Sequence, residues 1–171
     1  KNRYINFFME SIPYDKRSGK IWFNGKTVEW ADAQIHVLNH GLHYASCVFE
    51  GERVYDSEIF KLEDHTERLF YSAKRLDMKV PYSQEEINKA SKQIVNIQKV
   101  KNGYVRPVIW RGSEMMALSS QKSKINVAIA TWEWGSYFDP KLKLKGIKLN
   151  ISSWRRPSPD SIPWDSKAAG L

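Results

Sequence analysis

The sequence predicts an α+β domain with a largely antiparallel sheet and two flanking helices. Three observations predict it. β-rich runs precede and follow a helical stretch, two amphipathic segments adjoin in the middle, and tight turn signals join the first strands as hairpins. At 171 residues, 42% apolar and 27% charged, the chain is long enough for one compact core and ordinary for a globular protein.

The elements follow in order. Residues 1–19 read as an N-terminal tail, with a short apolar patch from Tyr4 to Met9 that is too short for a secretory core. Ile21-Trp-Phe-Asn-Gly25 and Lys26-Thr-Val-Glu-Trp30 form a hairpin through the Asn24-Gly25 turn. A second hairpin runs from Val48 to Tyr55 and from Ile59 to Leu62, turning at Asp56-Ser57. Glu63 to Leu76 is a helix with Leu69, Ala73 and Leu76 on one face. Ser83-Gln-Glu-Glu86 is a capping box opening a helix to about Lys99, whose buried stripe is Ile87, Ala90, Ile94 and Ile97. Tyr104 to Trp110, Ile125 to Trp132 and Gly146 to Trp154 read as strands. The alternating Lys141-Leu-Lys-Leu-Lys145 reads as a solvated strand face. Arg156 to Pro163 is a Pro- and Ser-rich connector of the kind that links domains. Only eight residues follow it, so the expectation is an N-terminal domain over 20–155, then a linker over 156–171 leading to a second domain.

Several classes are disfavoured. One cysteine, Cys47, excludes an intrachain disulfide and suggests a reducing, cytoplasmic compartment; it is either a small packing residue or a thiol near His43. No apolar run reaches the roughly 20 residues that span a bilayer. The net charge of +8 is scattered, which argues against nucleic acid while leaving a basic binding module as the competing reading. His36, His40 and His43 lie close together without cysteine or paired carboxylates, so no metal site is expected. P-loop, dinucleotide-turn and nucleophile-elbow spacings are absent.

Four separated stretches carry a more specific signal. They are His36 to Gly51, Phe60 to Leu69, Gly103-Tyr-Val-Arg-Pro107 with Trp110-Arg-Gly112, and Ser152-Ser-Trp-Arg-Arg-Pro157 leading to Ser166-Lys-Ala-Ala-Gly170. In order and separation they resemble the branched-chain aminotransferases of the class IV pyridoxal-phosphate enzymes, of fold type IV, the D-amino acid aminotransferase-like architecture. The resemblance implies pyridoxal 5'-phosphate as cofactor and Lys167 as the lysine that carries it. An amine in that role shuttles a proton as well as holding the cofactor. Without the resemblance Lys167 reads as one more surface lysine.

The resemblance further implies that Arg68 binds the cofactor phosphate, for which a guanidinium's paired donors are suited. The bland alternative is a helix arginine paired with Asp64. Tyr44, Phe49, Gly51, Tyr104, Arg106, Trp134 and Tyr137 match positions lining the substrate pocket, with Arg106 and Tyr44 as a polar rim for a distal carboxylate. Trp134 and Tyr137 read otherwise as core aromatics. Leu118, in Met115-Met-Ala-Leu118, matches a loop that reaches a partner subunit's pocket; relatives often carry glycine where Ala117 stands. The implied reaction is transamination between Leu, Ile or Val and 2-oxoglutarate, with small amino and 2-oxo acids as partners. The resemblance also implies a homodimer when full length, and the expectation that this chain, without the family's second domain, is inactive or nearly so. A D-amino acid aminotransferase or aminodeoxychorismate lyase of the same fold is the nearest rival.

Overall fold

The structure is a computed structural model that describes residues 12–135, 144–146 and 148–170. Strands β1 (Lys20–Phe23) and β2 (Lys26–Glu29) form the first hairpin, with Asn24 and Gly25 both at positive φ, the signature of a type I′ turn. A short helix α1 (His40–Tyr44) follows, capped by the Asn39 side chain, which accepts from the Gly41 N–H. Sequence periodicity did not reveal it, because five residues give no period to read.

The second hairpin differs from expectation. It is three strands, β3 (Cys47–Phe49), β4 (Glu52–Tyr55) and β5 (Glu58–Ile59), and Leu62 opens helix α2 (Leu62–Arg75) rather than ending a strand. The break at Glu50-Gly51 has a cause in the neighbouring strand β6 (Gly103–Arg111). Pro107 has no N–H to donate, and its carbonyl accepts from the Glu50 N–H at 3.0 Å on the same edge. The ladder on that side therefore pairs β3 with 108–110 and β4 with 103–105, with a gap opposite the proline.

Helix α3 (Gln84–Gln98) carries the full capping box, with the Ser83 hydroxyl accepting from the Glu86 N–H and the Glu86 carboxylate accepting from the Ser83 N–H. Its buried stripe is Ile87, Ala90, Ser91, Ile94 and Val95. Ile97 is a correction: it lies on the outer side, 42% exposed. Strand β7 (Ile125–Glu133) pairs with β6 over nine residues.

The described strands make one antiparallel sheet in the order β2-β1-β7-β6-β4-β5, with β3 also paired to β6. Alternation along β6 and β7 sorts its faces. Val105, Ile109, Val127 and Ile129 point to the helices and join Leu69, Ala73, Ile87 and Ile94 in the core. Arg106, Val108, Trp110, Ala128 and Ala130 point to the other face and line an apolar hollow of about 420 Å³.

The strand expected over Gly146 to Trp154 is not found among the described residues there. Leu149, Ile151 and Trp154 are 85%, 95% and 90% exposed. β propensity measures fit to a neighbouring strand and a packed face, and this segment has neither. The Lys141–Lys145 reading lies largely outside the described residues. No helix among the described residues is long and apolar enough to cross a membrane, and they hold no cluster of His, Cys, Asp or Glu fit for a metal.

Candidate active site

Lys167 does not sit on a regular element, yet its backbone is held on both edges. Its carbonyl accepts from the Phe49 N–H at 3.2 Å and its N–H donates to the Ser72 hydroxyl at 2.9 Å. Ala168 bridges to Val48, and the Ala169 N–H donates to the Cys47 carbonyl. The segment thus runs between β3 and α2, tied to β3 by a single bridge. Its side chain emerges with Nζ 5.0 Å from the centre of the Phe49 ring. Lys167 opens onto a cavity of about 290 Å³ lined by Phe49, Arg68, Arg156, Asp165, Ser166 and Ala168.

Arg68 reaches this cavity from α2, but not by pairing with Asp64. Its guanidinium donates twice to Glu50, Nε to Oε1 at 2.5 Å and Nη2 to Oε2 at 2.8 Å. The fork leaves half of the Arg68 side chain exposed while Glu50 is fully buried. His65 Nδ1 lies 2.9 Å from Glu50 Oε2, and since an ionised carboxylate only accepts, that nitrogen carries the proton. Burial opposes ionisation of Glu50, but the hydrogen bonds from Arg68 and His65 outweigh it and hold the carboxyl below its usual range. Lys61, meanwhile, takes Asp64.

Gly51 is required by its neighbour. A Cβ there would lie 1.8 Å from the Tyr104 hydroxyl oxygen, so only glycine lets that ring lie over the strand break. Arg106 donates to the same hydroxyl at 3.2 Å and stacks its guanidinium 4.6 Å from the Phe49 ring centre. The Trp134 ring packs 4.8 Å from Tyr104, and its carbonyl accepts from Arg53. Phe49, Gly51, Tyr104, Arg106 and Trp134 are therefore one contiguous patch beside the cavity that Lys167 and Arg68 line.

Tyr44 and Leu118 form a separate cluster. The Tyr44 hydroxyl donates to the Met116 carbonyl at 3.2 Å, and its ring stacks on His40 at 4.5 Å. His40 is buried; its Nε2 faces the Ala117 carbonyl and its Nδ1 faces the Ser46 hydroxyl. The satisfied structural histidine expected at this position is thus a loop anchor. Leu118 stands 87% exposed at the tip of that loop. Arg106, expected to share a polar rim with Tyr44, meets the Tyr104 hydroxyl in this chain, while the Tyr44 hydroxyl goes to Met116. Tyr137 lies outside the described residues. Cys47 is partly buried beside Arg106, and burial pushes its thiol up to about 11, which favours packing over nucleophilic chemistry.

Sequence reasoning did not single out Glu50, His65, Ser72, Arg156 or Asp165. The signal for the first two was available: strand alternation turns Glu50 away from Phe49 toward the helix, where His65 and Arg68 share a face at i and i+3. Arg156 lies in the stretch Ser152 to Pro157 that carries the resemblance, but nothing local in the sequence marks Asp165.

Residues 47–168 match the family described as Amino-transferase class IV. The chain is 44% identical over 144 residues to a branched-chain-amino-acid aminotransferase of Pseudomonas aeruginosa, covering 82% of this chain and 47% of that protein. It is 44% identical over 161 residues to a probable branched-chain-amino-acid aminotransferase of Rickettsia felis, covering 94% and 54%. The chain thus spans about half the length of the curated relatives it matches. Among solved structures it resembles a T.th. branched-chain amino acid aminotransferase with pyridoxamine 5'-phosphate, at TM-score 0.85 and 36% identity over 90% of this chain and 52% of that one. The Escherichia coli enzyme gives a TM-score of 0.81 at 35% identity, covering 90% and 50%. On the family match from β3 through β7 and the lysine segment, and on a shared fold, the chain belongs to the class IV aminotransferases.

Proposed function

We propose that this chain is the lysine-bearing half of a pyridoxal-phosphate-dependent transaminase that exchanges amino groups between branched-chain L-amino acids and 2-oxoglutarate. One observation carries the reading: an amine, Lys167, and two guanidiniums, Arg68 and Arg156, open onto the same small cavity. That donor set fits an aldehyde bearing a phosphate. The names of the relatives in Pseudomonas aeruginosa and Rickettsia felis support the branched-chain assignment.

Bound pyridoxal phosphate would supply the carbonyl carbon that takes the amino group and a ring that withdraws the Cα electrons. The protein's residues do the rest. Arg68, oriented by Glu50, donates to the phosphate and fixes the distance to Lys167. Lys167 Nζ removes the proton from the substrate Cα and, in the opposite half-reaction, returns one there. Phe49 and Trp134 give apolar walls to a Leu, Ile or Val side chain. Arg106 and Tyr104 receive the distal carboxylate of glutamate at the rim, so one pocket accepts both partners.

In this reading residues 20–155 are the small domain of the complete enzyme and 156–171 lead toward its second domain, with a cytoplasmic location. Tyr44 and Leu118 lie outside the Lys167 cluster, which supports a homodimer in which this loop serves the partner's site. The test is an assay of the complete protein with L-leucine and 2-oxoglutarate beside D-alanine and 2-oxoglutarate. Glutamate from the leucine pair only is the expected result; preference for D-alanine, or turnover of neither pair, contradicts the proposal.

A further inference from the structure

Between the end of α2 and the lysine segment lies a set of contacts that the proposed chemistry does not use. Ser72, fully buried, accepts the Lys167 N–H at 2.9 Å. One residue earlier on α2, the Tyr71 hydroxyl donates to Asp165 Oδ2 at 2.5 Å; one turn later, Arg75 Nε donates to Asp165 Oδ1 at 3.1 Å. The Ser166 hydroxyl and N–H both donate to the Pro163 carbonyl, closing a turn just before the lysine. Three consecutive residues, Asp165, Ser166 and Lys167, are thus fixed individually, two of them by α2.

Such fixing matters because the segment is no regular element: Asp165 and Ser166 lie in a turn and Ala168 makes one isolated bridge. A slip of one residue at such a bridge exchanges each side chain for its neighbour's. The neighbours of Lys167 are Ser166 and Ala168, neither of which carries an amine. Both already line the cavity beside Lys167, so a slip of one residue would put one of them where the amine stands. The pairing to β3 cannot fix the register alone: it consists of a single bridge, Val48 to Ala168, with two flanking hydrogen bonds.

We propose that Ser72 and Asp165 are positioning residues that lock the register of this segment against β3 and α2, so that the Lys167 amine and not a neighbour holds its place in the cavity. Ser72 fixes the peptide of Lys167 itself, and Asp165 ties the preceding residues to α2 through Tyr71 and Arg75. The inference rests on the functional reading only for its consequence; the register lock can be measured without any cofactor.

The test uses the 171-residue chain as wild type, Ser72→Ala, Ser72→Thr and Asp165→Asn. Amide hydrogen exchange reports on the Lys167 N–H. Pyridoxal phosphate followed by borohydride, with peptide mapping across a pH series, reports how selectively Lys167 is labelled over other lysines. Loss of one hydrogen bond predicts that S72A speeds Lys167 exchange about three- to tenfold and lowers labelling selectivity by a similar factor. The amides of Val105 and Val127 in the core keep their wild-type exchange. S72T keeps the hydroxyl and restores both readouts. D165N, at a side chain only 30% exposed but outside the core, shifts them in the same direction. Lys167 exchange unchanged in both S72A and D165N overturns the proposal. Failure of the wild type to label at Lys167 would instead defeat the functional reading, and the exchange measurements would still decide the register lock.

Discussion

Glu52 carries two carboxylate oxygens buried without a hydrogen-bond partner among the described residues. Burial first, and the nearby charge of Glu50 second, push its carboxyl up from 4.5 to about 8. The sign of the consequence follows from linkage. Between these two values the folded chain holds a proton that the unfolded chain releases, so this contribution is full below 4.5 and is lost as pH rises through 8. Urea melts at pH 5 and pH 9 should show the wild type losing stability at up to about 1.4 kcal/mol per pH unit from this group. The Glu52→Gln variant should lose that part of the slope and be the more stable protein at pH 9. A variant as pH-sensitive as the wild type would refute the assignment. Glu50 behaves oppositely, because its charge has partners. Arg68→Ala leaves a buried carboxylate with His65 as its remaining side-chain donor and should cost about 1–3 kcal/mol at neutral pH. Adding Glu50→Gln should recover part of that loss, since the charge is then gone; a strictly additive double mutant would show that the pair is not coupled.

At the scale of elements, local signals and tertiary context divide the fold between them. Ser83→Ala should destabilise the chain by about 1 kcal/mol, because both halves of the α3 capping box are made; an unchanged denaturation midpoint would contradict it. That helix and the Asn24-Gly25 hairpin were readable because capping and turn chemistry are local to four residues. The split of β3 from β4 was not, since its cause is Pro107, more than fifty residues away on another strand. The strand expected near Gly146 failed for a related reason: its apolar residues have no face to cover. The site divides in the same way. Lys167, Arg68, Phe49, Tyr104 and Arg106 stand in the motifs that carry the resemblance, Glu50 was readable from strand alternation set against the His65–Arg68 face, and Ser72 and Asp165 meet partners distant in sequence. Gly51→Ala tests the break directly. The added Cβ must displace Tyr104 from Arg106, so in the complete protein KM for 2-oxoglutarate should rise about ten- to a hundredfold while KM for leucine changes far less. Equal changes in both would remove Tyr104 from the carboxylate rim.

At the scale of the described fold, helices α2 and α3 cover one face of the sheet, while the other carries an apolar hollow of about 420 Å³ lined in part by Ile35 and by Leu42 of α1, which stand 51% and 62% exposed. A surface of that kind is covered in most stable proteins. The chain by itself should therefore bind a hydrophobic dye in its native state. Because it spans about half of its relatives' length, it should also turn over leucine with 2-oxoglutarate far below ordinary aminotransferase rates. Cofactor capture is a smaller demand than turnover, since Lys167, Arg68 and Arg156 already share one cavity. The most direct measurement is therefore to mix the chain with pyridoxal phosphate, reduce with borohydride and sequence the modified peptide. A pyridoxyl group on Lys167, absent from the Lys167→Ala variant, is the predicted result. A label spread evenly over surface lysines, or none at all, would contradict the account.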